Sequence, residues 1–135
     1  MTFVLDCSVA LAWILPDEGR RQVMALLERL GTESAVVPEV WPLEVANALL
    51  IAQRRGRITE KDVARALEDL AALPIQVDQE TNRQALRATL TLATKYRLSS
   101  YDAAYLELAQ RIRVPLATLD TKLRSACKSA GIEVL

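Results

Sequence analysis

Thr2-Phe3-Val4-Leu5-Asp6-Cys7-Ser8-Val9-Ala10-Leu11-Ala12-Trp13 is the stretch from which the rest of the chain can be read. Phe3, Val4 and Leu5 form an apolar run too short for a helix of its own. Such a run reads as a strand buried on both faces, as at the centre of a parallel sheet. Asp6 ends it and is the only charged residue before Asp17. In open α/β sheets ligands bind beyond the carboxyl ends of the strands, which makes a solitary carboxylate there a site candidate. The competing reading is that Asp6 or Ser8 merely caps a helix beginning near Val9.

Downstream, apolar spacing and breakers alternate strands with helices. Val9–Leu15 gives a short helix ending at Pro16. Asp17 opens a second, with Val23, Leu26, Leu27 and Leu30 at helical spacing and Gly31 as its stop. Ser34–Val37 is a strand closed by Pro38, and a helix follows from about Glu39 to Arg55, ending at Gly56. Thr59-Glu60-Lys61-Asp62 resembles a capping box for a helix reaching Leu73. Ile75–Val77 is the third strand, and Asp78 begins a long helix to about Tyr96. Ser99 opens another to Arg113, Val114–Thr118 is the fourth strand, Asp120 starts the last helix, and Ile132–Val134 is a short final strand. The pattern predicts a three-layer α/β sandwich with a mostly parallel five-stranded sheet and right-handed crossovers, one domain over residues 1–135.

Composition excludes several chemistries. The chain has 135 residues, no histidine, two cysteines and four isolated glycines. Serine–histidine and cysteine–histidine catalysis, histidine–zinc sites and glycine-rich phosphate loops are therefore absent. Lys plus Arg equals Asp plus Glu at 17 each, which argues against broad nonspecific nucleic-acid binding and leaves room for a local basic patch. Neither a bilayer-spanning stretch nor a basic secretory leader is legible, so the expectation is a soluble cytoplasmic protein. Cys7 and Cys127 read as small core residues.

From Val40 to Ile51 every residue except Pro42, Glu44 and Asn47 is apolar. A helix apolar nearly all round is normally buried, so a partner subunit or protein is expected to cover part of it. Glu44 caps nothing at mid-helix, and a buried charge must be paired or coordinated. Asn47 lies one turn later on the same face. Asp102 and Asp120 are further isolated carboxylates, each with a capping role open to it: Ser99-x-x-Asp102 as a capping box, Asp120 as the cap of the last helix. Asp6, Glu44, Asp102 and Asp120 can converge on one crevice, where like charges raise one another's pKa unless a cation binds. Oxygen-only ligation suits Mg²⁺ or Mn²⁺, ions able to activate water and steady an in-line phosphoryl displacement. Ser8 and Thr118, each two residues from a site Asp, are within reach of water or phosphate. Arg54, Arg55 and Arg57 form the obvious cationic cluster for substrate, or else a solvated helix end.

V-L-D-C-S, W-P-L-E-V-A-N-A-L, L-S-S-Y-D-A-A-Y-L-E-L-A and L-A-T-L-D-T-K-L resemble the successive motifs of PIN-domain ribonucleases, and more narrowly of the VapC toxins of toxin–antitoxin pairs. The likeness spans Thr2 to Leu123. It implies a PIN-like sheet of order 3-2-1-4-5 and a metal-dependent endoribonuclease acting on RNA. It also implies a homodimer and inhibition by a VapB-type antitoxin that lays a helix and a tail along the toxin. The family's acidic positions map onto Asp6, Glu44, Asp102 and Asp120, and its hydroxyl and amide positions onto Ser8, Asn47 and Thr118. Asp6, Asp102 and Asp120 are expected to hold the metal directly, with Glu44 acting through water. A haloacid-dehalogenase-type phosphatase would need a second Asp where Ser8 stands, and a receiver domain an acidic pair where Cys7 follows Asp6. A non-catalytic dimerising module is the remaining alternative.

Overall fold

The computed structural model describes residues 1–15 and 21–135. The expected helix stop at Pro16 and start at Asp17 lie outside the described residues. The strands are β1 (Thr2–Leu5), β2 (Ser34–Val37), β3 (Ile75–Val77) and β4 (Leu116–Ala117). All pair in parallel, in the order β3-β2-β1-β4. β1 is central, and Phe3, Val4 and Leu5 are fully buried, which is what their uninterrupted apolar run demands.

The expected fifth strand is reduced to one parallel bridge, Leu116 to Val134. It sits at the β4 edge, where the order 3-2-1-4-5 puts it. β4 is itself only two residues long. Pro115 has no N–H to add to the ladder. Little edge is left to template a full neighbour.

The helices are α1 (Cys7–Ile14), α2 (Arg21–Arg29), α3 (Trp41–Arg54), α4 (Glu60–Ala71), α5 (Thr81–Gln84), α6 (Leu90–Tyr96), α7 (Ser100–Ile112) and α8 (Thr121–Ala130). α7 packs on β1 and β4 and against α6 and α8, while α1 packs on α2 and α3. Ala103, Tyr105, Leu106, Leu108 and Ala109 bury the greater part of α7. The Thr59 capping box forms with both reciprocal bonds. Gly56 and Gly131 carry the positive φ expected where α3 and α8 stop. Among the described residues no helix is long and apolar enough to cross a membrane.

The long helix expected from Asp78 departs most from its pattern. Asp78 does not open it, because its carboxylate accepts from the Thr81 hydroxyl and from Arg111 of α7. Helix begins at Thr81, widens into a π-turn over Ala85–Thr89 with Arg87 off helical geometry at φ −124°, ψ −108°, and resumes as α6. With neither Pro nor Gly in this stretch, no breaker marks the interruption.

Candidate active site

Asp6 follows β1 directly and is 6 % exposed. It occupies the N-cap position of α1, yet its side chain makes no capping bond to that helix. The carboxylate turns instead toward the β4 side. There its Oδ2 accepts from the Ser8 hydroxyl at 2.7 Å and from the Thr118 hydroxyl at 2.6 Å. Each hydroxyl also accepts a backbone N–H, Ser8 from Leu119 and Thr118 from Asp120, both at 3.0 Å. These two donor–acceptor relays stitch the ends of β1 and β4 together. Both hydroxyls thereby direct their protons to Asp6. Oδ1 receives no hydrogen bond from a described residue.

Glu44 lies in the first turn of α3 and is half-buried. The phenol of Tyr105 donates to its Oε1 at 2.5 Å and accepts the Cys7 N–H at 3.4 Å. A buried Tyr hydroxyl needs a partner, and here it ties Glu44 to the backbone beside Asp6. Asp102 stands in the first turn of α7, whose N-cap Ser99 accepts the Asp102 N–H at 3.1 Å. Asp120 caps α8 through Oδ1, accepting from Leu123 N–H at 2.8 Å. The capping role read for Asp120 therefore holds, and it engages one oxygen only. Asp6, Glu44 and Asp120 each have one carboxylate oxygen engaged and the other without a described hydrogen bond.

The electrostatics mark these groups as one cluster. Burial raises the Asp6 pKa above its ordinary value; the two hydroxyl bonds oppose that rise, and the charges of Asp102 and Asp120 add to it. Glu44 is raised by burial and by the fields of Asp6 and Asp102, against its bond from Tyr105. Asp102 is raised by burial and by Asp120, with Lys122 acting the other way. Among the described residues none of the four forms an ion pair. Nor are three or more metal-ligating side chains drawn into a ready cage. The grouping is thus open.

Asn47 is exposed. Arg54 and Arg55 sit at the far end of α3 from Glu44, about 15 Å away at 1.5 Å per residue. The solvated-helix-end reading fits them. Cys7 and Cys127 are buried free thiols, pushed up by burial to about 12 and about 11, and so are inert at neutral pH. Tyr105 is the site residue that the sequence reading missed. A tyrosine in an apolar helix looks like core, and only the need of a donor at Glu44, expected at mid-helix but standing in the first turn of α3, hinted at more.

Residues 3–129 fit the PIN domain family model. The chain belongs to the PIN-domain family. Among relatives of this PIN domain, Ribonuclease VapC3 of Pyrobaculum aerophilum is 30 % identical over 123 residues, covering 91 % of this chain and 92 % of that protein. Ribonuclease VapC9 of Mycobacterium tuberculosis is 33 % identical over 122 residues, covering 89 % and 87 %. The resemblance to VapC sequences therefore holds along nearly the whole chain. Among solved structures, one from Pyrobaculum aerophilum superposes with a TM-score of 0.70 at 21 % identity, covering 99 % of this PIN domain and 92 % of that chain. VapBC2 from Rickettsia felis, bound to a DNA fragment from its promoter, gives 0.66 at 14 % identity, covering 100 % and 98 %. These structural likenesses concern the fold.

Proposed function

We propose that this PIN domain, residues 1–135, is a metal-dependent endoribonuclease toxin of a VapBC-type pair that cleaves RNA phosphodiester bonds in the cytoplasm. The observation that carries the reading is the placement of Asp6. It is buried beyond the central strand, tied by two hydroxyls and electrostatically coupled to Asp102 and Asp120. Grouping carboxylates without cations is unfavourable unless something positive binds, and the donor set is all oxygen. Mg²⁺ or Mn²⁺ fits it.

Asp6, Asp102 and Asp120 would hold the ion, with Glu44 reaching it through water. Such an ion, once bound, sharpens the acidity of water and neutralises charge on a phosphoryl oxygen. The chain's own groups supply position. Ser8 and Thr118 fix the Asp6 carboxylate so that Oδ1 points free. Glu44, with Oε1 engaged by Tyr105, keeps Oε2 to accept a proton from the attacking water. Asn47, exposed one turn along α3, would meet substrate. Tyr105→Phe is expected to fold and to weaken Mn²⁺ binding by roughly tenfold, the usual effect of losing a group that orients a ligand. Calorimetric titration with Mn²⁺ measures it, and unchanged affinity refutes the positioning role.

Regulation and assembly follow the same reading. Leu43 is 73 % exposed and Tyr101 61 %, and both line a groove of about 370 Å³ between α3, the π-turn and α7. That apolar surface supports a homodimer, and a VapB-type antitoxin is the expected inhibitor. A scaffold with vestigial carboxylates would share the apolar surface but would have no reason to bind Mg²⁺ or Mn²⁺. The deciding experiment is incubation of total bacterial RNA with purified protein and Mg²⁺ or Mn²⁺, with EDTA, and with Asp102→Asn alongside. Discrete fragments that vanish with EDTA and in the variant are expected. Cleavage that survives both defeats the reading.

A further inference from the structure

We propose that the surface groove between α6 and α8, walled by Lys95, Arg97 and Lys122, binds the phosphate backbone of single-stranded RNA beside the acid cluster. The inference rests on the ribonuclease reading and assigns its substrate track.

The groove measures about 290 Å³, and no acidic side chain lines it. Among the described residues neither Arg97 nor Lys122 has an ion-pair partner. Lys95 is held over the Tyr96 ring, its ammonium 5.3 Å from the ring centre, with no carboxylate to neutralise it. A chain whose formal net charge is zero has no general excess of cations to strew over its surface. Cations gathered in one groove without an ion-paired carboxylate are therefore a local feature that an external anion would complete.

Position ties this groove to the chemistry. α8 begins at its N-cap Asp120, and Lys122, Ser125 and Ser129 follow at helical spacing on the face that forms one wall. The other wall is the end of α6, where Arg97 takes a left-handed turn at φ 55°. From there the chain runs through Ser99 directly into Asp102. Lys122 is close enough that its charge acts on the Asp102 carboxylate. The groove thus shares α8 with Asp120 and, through Lys122, lies within the field of Asp102.

Two features favour RNA as the occupant. The groove shares α8 and the Lys122 charge with groups suited to a phosphodiester, so an anion continuous with the substrate satisfies both. The Ser125 and Ser129 hydroxyls can meet phosphate oxygens and the ribose 2′-hydroxyl, the contacts by which proteins hold single-stranded RNA. Arg54 and Arg55, at the remote end of α3, offer no such continuity.

The test is fluorescence anisotropy of a short labelled oligouridine, titrated over a series of salt concentrations in EDTA to hold cleavage off. Each lost phosphate contact lowers the slope of log affinity against log salt by about 0.7 for a single strand. The Lys95→Gln/Arg97→Gln/Lys122→Gln variant is expected to flatten the slope by about 2. The Lys95→Gln/Arg97→Gln variant, which spares the neighbour of Asp102, is expected to flatten it by about 1.4. Arg54→Gln/Arg55→Gln should keep the wild-type slope. Wild-type binding with an unchanged slope in both groove variants overturns the groove assignment alone. Loss of slope in the Arg54/Arg55 variant instead places the track elsewhere and also overturns it. An equal loss of binding to a poly-glutamate peptide assigns the groove to an acidic protein segment. If the wild-type protein binds no RNA, the ribonuclease reading fails and takes the groove with it.

Discussion

Asp6→Asn is expected to cut ribonuclease activity to below about one hundredth of wild type, while the metal-free protein becomes more stable, not less. The two effects share a cause. Asp6 is 6 % exposed and its pKa is raised, first by burial and then by the fields of Asp102 and Asp120. A raised carboxylate pKa means that the folded state holds the proton more tightly than the unfolded chain does. The ionised group therefore weighs against folding above its folded pKa, and stability recovers as the pH falls through that value toward 3.8. Asparagine removes the charge and keeps a carbonyl oxygen able to accept from both Ser8 and Thr118. Thermal melts in EDTA at neutral pH should show a rise of about 4 °C, and the gap between variant and wild type should close in mild acid. Adding Mg²⁺ should raise the wild-type melting temperature and leave the variant's unchanged. A variant that cleaves normally, or that melts lower than wild type without metal, would sink this account of Asp6.

How much of this was legible in the sequence differs from residue to residue. The central strand was, because three consecutive apolar residues followed by a lone Asp fit few environments. The caps at Thr59, Ser99 and Asp120 were too, since capping is a local matter of one side chain and the N–H groups two or three residues on. Asp6 was ambiguous for the same reason. As a cap it would have bonded its own helix, and only the Thr118 hydroxyl just past β4, brought in by the parallel register Leu5 to Ala117, shows that it does not. Long-range partners were the illegible part. Tyr105 and Glu44 are 61 residues apart, and nothing local to either names the other. The break at Arg87 was equally hidden, because the residues from Thr81 to Tyr96 are all tolerated in helices and the interruption answers to tertiary packing. The arginine cluster left two readings open because sequence reports charge density without direction along a helix. Lys95, Arg97 and Lys122, scattered over two segments, drew no notice.

Arg111→Ala should be the most destabilising single change outside the apolar core, by about 3 kcal/mol or more. The guanidinium spans two carboxylates from different parts of the chain. Nη2 lies 2.7 Å from Asp78 Oδ2, and Nε lies 2.9 Å from Glu107 Oε2. The Asp78 and Glu107 side chains are only 11 % and 5 % exposed. Removing the cation leaves both charges poorly solvated and unpaired, a heavier penalty than losing an exposed ion pair. Burial pushes the Asp78 carboxyl up, and the bonds from Arg111 and Thr81 outweigh it, holding the group below its ordinary 3.8. A depressed carboxylate stabilises the fold above its unfolded pKa and loses that contribution as the pH falls through the folded value. The deficit of Arg111→Ala should therefore be full at neutral pH and shrink below about pH 4. Pairing Arg111→Met with Glu107→Gln should recover part of the loss, since one uncompensated charge is gone and the aliphatic packing returns. Urea unfolding at several pH values measures all of this, and a deficit under about 1 kcal/mol at neutral pH would show the bridge to be worth no more than a surface pair. The consequence reaches the site as well. Arg111 anchors α7 to the end of β3, and α7 carries Asp102 and Tyr105. Cleavage by the folded fraction of Arg111→Ala should fall further than its unfolded population alone accounts for, because the acid cluster loses one of the ties that fixes its geometry.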